Sequence, residues 1–181
     1  MTKKLDQVAI RMVEAPPLFS DEVINTPEKA ISLLAKELQG YDREVVCVVN
    51  LQTDMRPINF NIVSIGSLSL AMFSNREIMK SVILSNAAGI IVLHLHPSVS
   101  LIPSHDDVKA TDSLLRACEV MNVNLVDHII IGGRDNKNYY SFREKSILPM
   151  DAVRFTSEIS ELEFPNQKAK KVAEKAIEQQ I

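Results

Sequence analysis

The stretch GIIVLHLHPSVSLIPSHDD, residues 89–107, joins an apolar run to a proline-bounded loop and the start of a helix. Its first eight residues are apolar except for two histidines, which predicts a buried strand. Pro97 and Pro103 restrain the loop, and Ser104 offers a hydroxyl cap to a helix predicted over 104–122. The stretch therefore predicts consecutive strand, loop and helix, with polar side chains gathered where the strand ends.

Further elements are predicted on both sides of this unit. The sequence predicts helices over 27–39 and 74–88, a hairpin of strands over 44–51 and 57–65, and strands over 124–131 and 139–142. This alternation predicts an α/β (α+β) fold in which a mixed sheet lies between helices as a three-layer sandwich.

The domain is predicted over residues 26–146, between an N-terminal arm over 1–25 and a C-terminal extension over 147–181 that contains a charged helix. The narrow apolar stripe of that helix leaves two interpretations open, a solvent-facing tail or a docking helix for a partner. A homodimer is therefore one possible assembly.

Composition excludes several classes of function. With 46% hydrophobic residues in 181, the chain can bury one sizeable core. Lys and Arg total 20 against 23 Asp and Glu, so no overall positive charge favours strong nucleic-acid binding. No apolar run is long enough for a membrane helix.

Cys47 and Cys118 lie in separate apolar stretches and are predicted to be buried, reduced thiols, which agrees with a cytoplasmic location.

His94 and His96 are the first candidate metal ligands. Side chains alternate across a strand, so both imidazoles point to one face. Catalytic zinc takes three protein ligands and keeps one position open for water. Asp107, in the first turn of the next helix, can supply the third ligand, which predicts one Zn²⁺ per chain. Ser104 and Asp107 also match a capping box, and Asp107 can serve both purposes with different oxygens.

The spacing of His94, Pro97, Ser104 and Asp107 matches the signature H-x-H-P-x(6)-S-x(2)-D without a gap. Together with VDHIIIGG, which begins at Val126, the stretch resembles the RadC-like branch of the JAB/MPN/JAMM metalloprotease superfamily over residues 26–146. Leu95 and the pair Val99-Ser100 depart from the usual pattern at positions that are not ligands.

The resemblance implies a JAB/MPN-like fold and a zinc-activated water. It implies that Glu44 is the general base and that Ser104 assists at the oxyanion. The alternative interpretation of Glu44 is a solvated strand end paired with Arg43. His128 is predicted to belong to a structural hydrogen-bond network or to support the site.

The predicted function is zinc-dependent hydrolysis of peptide or isopeptide bonds, with a protein or peptide as substrate. The alternative is a metal-bearing module without proteolytic activity in a DNA-associated complex, acting in DNA repair or on a mobile element. Metal-dependent phosphodiester cleavage is a third, less favoured possibility, because the charge balance is acidic.

Overall fold

The computed structural model describes residues 22–38, 40–66, 74–97, 100–132 and 138–146. Residues 1–21 of the predicted arm and the whole predicted extension over 147–181 lie outside the described residues. The described elements are, in chain order, α1 (Pro27–Leu38), β1 (Val45–Leu51), β2 (Pro57–Ile65), α2 (Asn75–Leu84), β3 (Gly89–His96), α3 (His105–Val120), β4 (Asn124–Gly132) and β5 (Asn138–Ser141).

The five strands form one mixed sheet in the order β2, β1, β3, β4, β5. Strands β3 and β4 are parallel and are connected through α3, whereas the other neighbouring pairs are antiparallel. Every residue of β1 and β3 is buried, as is expected of central strands covered on both faces.

The two faces of the sheet carry separate apolar clusters. Alternate side chains of β1 point to opposite faces, so Val45 and Cys47 lie in one cluster and Val46 and Val48 in the other. The first cluster includes the apolar face of α1, and the second includes those of α2 and α3. The α/β fold predicted from the sequence, with a mixed sheet between helices, is confirmed.

Some predicted boundaries are wrong at the ends of helices. Helix α2 ends at Leu84 and not at residue 88, because Asn86 adopts a left-handed conformation with φ of 51° that breaks the helical path. Helix α3 ends at Val120, two residues before Asn122, which has φ of 54°. Asparagine tolerates this conformation better than most residues, and that signal was available in the sequence.

Both cysteines are free and buried, as predicted. Burial raises the pKa of each thiol, Cys47 and Cys118, to about 12, so neither is a thiolate near neutral pH. Within the described part of the chain, no helix combines the length and the apolar character that crossing a membrane requires.

Candidate metal centre

His94 and His96 lie at the carboxyl end of β3, on the sheet face that α2 and α3 cover. Their side chains share that face because they are two residues apart on a strand. The ring centroids are 4.5 Å apart with an angle of 84° between the planes. Both residues are buried, with 2% of His94 and 8% of His96 exposed, so their ring nitrogens are largely shielded from solvent. Their placement on one face therefore agrees with the alternation of side chains along a strand.

His96 is oriented by the loop that follows β3. Its Nδ1 lies 3.2 Å from the backbone oxygen of Ser100. A carbonyl oxygen can only accept a hydrogen bond, so Nδ1 must carry the hydrogen. In the neutral ring this leaves the lone pair on Nε2, the nitrogen that faces the two carboxylates of the site. In the sequence Ser100 was noted only as a departure from the family pattern and not for this contact, because a backbone acceptor carries no residue-type signal.

Glu44 reaches the histidines from the neighbouring strand. It directly precedes β1, which pairs antiparallel with β3 so that Val46 lies opposite His94. Its Oε2 is 2.6 Å from His94 Nε2 and 3.8 Å from His96 Nε2. Glu44 is only 7% exposed, whereas Arg43 is exposed and pairs with Asp42 at 2.8 Å. The structure thus rejects the alternative in which Glu44 is a solvated partner of Arg43.

Asp107 approaches from the first turn of α3. Its Oδ2 accepts from the backbone nitrogen of Ser104 at 2.7 Å and from the Ser104 hydroxyl at 2.6 Å. The Asp107 backbone nitrogen donates back to that hydroxyl oxygen, which completes a capping box. The other oxygen, Oδ1, lies 3.1 Å from His94 Nδ1. The cap therefore holds one carboxylate oxygen and leaves the second directed at the histidine.

Two carboxylates thus enclose one buried imidazole. Burial alone lowers the pKa of His94, but the attraction of Asp107 and Glu44 is stronger and raises it. Burial likewise raises the pKa of Asp107, but His94 and the hydrogen bonds from Ser104 outweigh burial and hold it well below its usual range. Asp107 therefore remains a carboxylate, the form that binds a metal ion.

The side chains present fit a divalent metal ion. Among the described residues, one group has metal-ligating atoms within 4.8 Å of one another, formed by Glu44, His94 and His96. His94 Nδ1 is buried and has no aligned hydrogen-bond partner, although Asp107 Oδ1 is near. Imidazole nitrogen and carboxylate oxygen are donors that zinc accepts. A metal ion would give this buried nitrogen a partner and offset the negative charge of the two carboxylates.

The identity of the third ligand stays a prediction. The sequence assigns it to Asp107 and assigns proton transfer to Glu44, whereas the group with the closest mutual spacing contains Glu44. Asp107 Oδ2 and Glu44 Oε2 are equally far from His96 Nε2, at 3.8 Å. The distances to His96 do not separate the metal ligand from the proton acceptor, so substitution of each carboxylate is needed to assign them.

A polar pair behind the site supports the same first turn of α3. His128 on β4 is fully buried, and its Nδ1 lies 2.7 Å from the Thr111 hydroxyl. That hydroxyl in turn donates to the backbone oxygen of Asp107 at 2.6 Å. Burial lowers the pKa of His128 to about 3, so the ring is neutral. Thr111 was not singled out, although it follows Asp107 by four residues and so shares its helix face.

The cavity on the opposite face of the sheet is not part of this centre. It has a volume of about 340 Å³ and is lined by Asp127 and Ile129, which point away from His128 and the metal ligands. Asp127 accepts from the Ser141 hydroxyl at 2.6 Å and from the Arg143 backbone at 3.0 Å. Its oxygens hold the chain after β5 in place, which is a structural role.

Comparison with known proteins agrees with this fold. The family model for the RadC-like JAB domain matches residues 24–147, and the chain belongs to that family.

Its relatives include proteins named UPF0758 protein. The one from Desulfitobacterium hafniense is 36% identical over 138 residues, covering 76% of this chain and 59% of that protein. The one from Thermotoga maritima is 35% identical over 132 residues, covering 70% and 58% respectively. The one from Actinobacillus pleuropneumoniae is 38% identical over 124 residues, covering 68% and 55%. The chain spans little more than half the length of these relatives, and their names state no activity.

Proposed function

We propose that this protein is a zinc-dependent hydrolase that cleaves peptide or isopeptide bonds in a protein or peptide substrate. The observation that carries the proposal is the convergence of Glu44, His94 and His96 in a buried cluster, with Asp107 beside it. Membership in the RadC-like JAB domain family supports the same reaction class. In this proposal His94, His96 and Asp107 hold one zinc ion. Bound zinc supplies a Lewis acid for the scissile carbonyl and lowers the pKa of water to near neutrality.

In this proposal Glu44 moves the proton. Its carboxylate is nearly buried and receives no described hydrogen bond other than its contact with His94. With no second described donor, an oxygen of this carboxylate is available to accept a proton from water. Glu44 then accepts a proton from the attacking water and passes it to the leaving amine.

In this proposal Ser104 stabilises the developing negative charge. Unlike Asp107, it is exposed, so a substrate carbonyl can approach its hydroxyl. In the structure the hydroxyl donates to Asp107 Oδ2. Acting on an oxyanion requires the hydroxyl to rotate away from Asp107, and the backbone nitrogen of Ser104 still holds that oxygen while it does so.

The proposed reaction is tested by screening peptide and isopeptide libraries with the zinc-loaded chain. Cleavage that stops with a chelator and returns on adding zinc supports the proposal. If every library stays intact while the chain holds zinc, the peptidase proposal is wrong and the non-proteolytic module becomes the better account.

Removing the Ser104 hydroxyl is expected to have two separable effects. Ser104→Ala should lower the free energy of unfolding by roughly 0.5–2 kcal/mol through loss of the helix cap. It should also reduce kcat through loss of the oxyanion donor. The matched control is Ser74→Ala, because Ser74 caps α2 by accepting from the Arg76 nitrogen at 3.3 Å. Denaturant unfolding should show similar losses for both variants, and a peptide assay should show a defect in Ser104→Ala alone. A comparable loss of activity in both variants would show that Ser104 acts only as a helix cap.

Binding of duplex DNA is expected to be weak at physiological salt, because the formal net charge of −3 supplies no phosphate-binding field. A fluorescence anisotropy titration at two salt concentrations measures this. Tight, sequence-selective binding would contradict the expectation and favour the DNA-associated alternative.

A further inference from the structure

His128 lies in the middle of three aromatic rings behind the metal centre. On one side its ring is nearly parallel to that of His94, with centroids 6.0 Å apart and an angle of 11°. On the other side it stacks on Phe142 at 4.8 Å and 7°. Both outer rings are buried. The Phe142 ring therefore supports His128, which in turn limits how far the His94 ring can tilt toward β4.

The same imidazole is connected to the turn that carries Asp107. The Thr111 hydroxyl has one hydrogen, which it donates to the Asp107 backbone oxygen. Its contact with His128 Nδ1, at 2.7 Å, must therefore have the ring as donor and the hydroxyl oxygen as acceptor. This direction assigns the hydrogen to Nδ1 of the neutral His128 ring. The two hydrogen bonds from His128 to Thr111 and from Thr111 to Asp107 then run in the same direction.

We propose that His128 is a positioning residue that sets the distance between His94 and Asp107, two metal ligands of the function proposed above. His94 is on β3 and Asp107 is on α3, and His128 on β4 contacts the first with its ring face and reaches the second through Thr111. A zinc site needs ligand atoms held close to their bonding positions before the ion arrives, and residues behind the ligands supply that order.

The test measures zinc affinity and does not depend on finding a substrate. His128→Phe keeps a stacking ring and removes the donor to Thr111, and Thr111→Val removes the acceptor at nearly constant shape. Zinc dissociation constants of the full chain are measured by competition with a chromophoric chelator, at a temperature where each metal-free variant is folded. Each single variant should bind zinc about 10–100-fold more weakly, the usual effect of losing a residue that orients a ligand.

The double variant His128→Phe/Thr111→Val separates positioning from general stability. Because both changes break the same connection, it should bind zinc about as weakly as either single variant. The control is Ile129→Val, next to His128 but in the apolar cluster on the opposite face. It should lower the melting temperature and leave zinc affinity unchanged. The absorption spectrum of bound Co²⁺, which reports ligand geometry, should change in the two site variants and not in the control.

The outcomes distinguish this proposal from the proposed function. If the wild-type chain binds no zinc, both fail together. If the wild type binds zinc and folded His128→Phe and Thr111→Val bind it as tightly, the positioning role fails and the metal centre stands. A fall in affinity in Ile129→Val equal to that of the site variants would also overturn the positioning role, because loss of stability alone would then explain it.

Discussion

Replacing His94 with alanine is expected to remove the zinc ion, about one per protomer, that we propose the wild-type chain holds. His94 is the centre of the cluster, because its ring nitrogens lie 2.6 Å from Glu44 and 3.1 Å from Asp107, whereas His96 Nε2 is 3.8 Å from each carboxylate. Alanine removes a nitrogen ligand and also the imidazole that pairs with the buried carboxylates of Glu44 and Asp107. Elemental analysis of the purified variant should find zinc near background.

His105→Ala is the matched control for this experiment. His105 begins α3, two residues from Asp107, but it is exposed. Its loss should leave zinc content unchanged. If His94→Ala retains its full zinc content, the ion is bound at another site. Asp107→Ala extends the test, because the predicted ligand set requires that it lose zinc as well.

Replacing Glu44 with glutamine is expected to abolish most turnover while zinc content and fold stay intact. Glutamine keeps the size of the side chain and can still bond to His94, but it cannot accept a proton from water. Acid and base assistance contributes about 10²–10⁴-fold, so kcat should fall by that order. The measurement compares kcat, zinc content and melting temperature in wild type and variant.

This variant also decides between the two carboxylates. If Glu44 is the third ligand, as its place in the closely spaced group permits, zinc content falls together with kcat. Asp42→Asn is the control, because Asp42 is an exposed acid two residues away that pairs with Arg43. It should change neither quantity. Cleavage by Glu44→Gln at the wild-type rate would remove Glu44 from the reaction.

Local sequence patterns were sufficient to predict the helices, the strands and part of the metal centre. The period of an amphipathic helix and the alternation of a strand are set by backbone geometry over a few residues. They therefore predicted the described helices and strands, and the placement of His94 and His96 on one face. The capping box at Ser104 and Asp107 is also local, because its four groups lie within one turn.

Helix ends were less predictable because weak signals compete there. At the end of α2, the apolar residues Ala87 and Ala88 extend the helical pattern, whereas the left-handed conformation of Asn86 ends it. A single asparagine is a modest signal in sequence and becomes decisive only when the next strand must begin at Gly89.

Contacts between distant segments were decided by the tertiary structure. The antiparallel register of β1 with β3 brings Glu44 to His94 and away from Arg43, although Arg43 is its neighbour in sequence. The contact between Glu44 and His94 depends on the pairing of two strands that are distant in sequence, so no local sequence pattern predicts it.

The sequence by itself thus determined the class of fold, the shared face of His94 and His96, and the capped turn that bears Asp107. Only the tertiary structure decided that Glu44 completes the cluster and that His128 lies behind it, because both depend on the order and register of strands. Strand order is a property of the whole packed sheet, in which β3 lies between β1 and β4 and so gathers side chains from both.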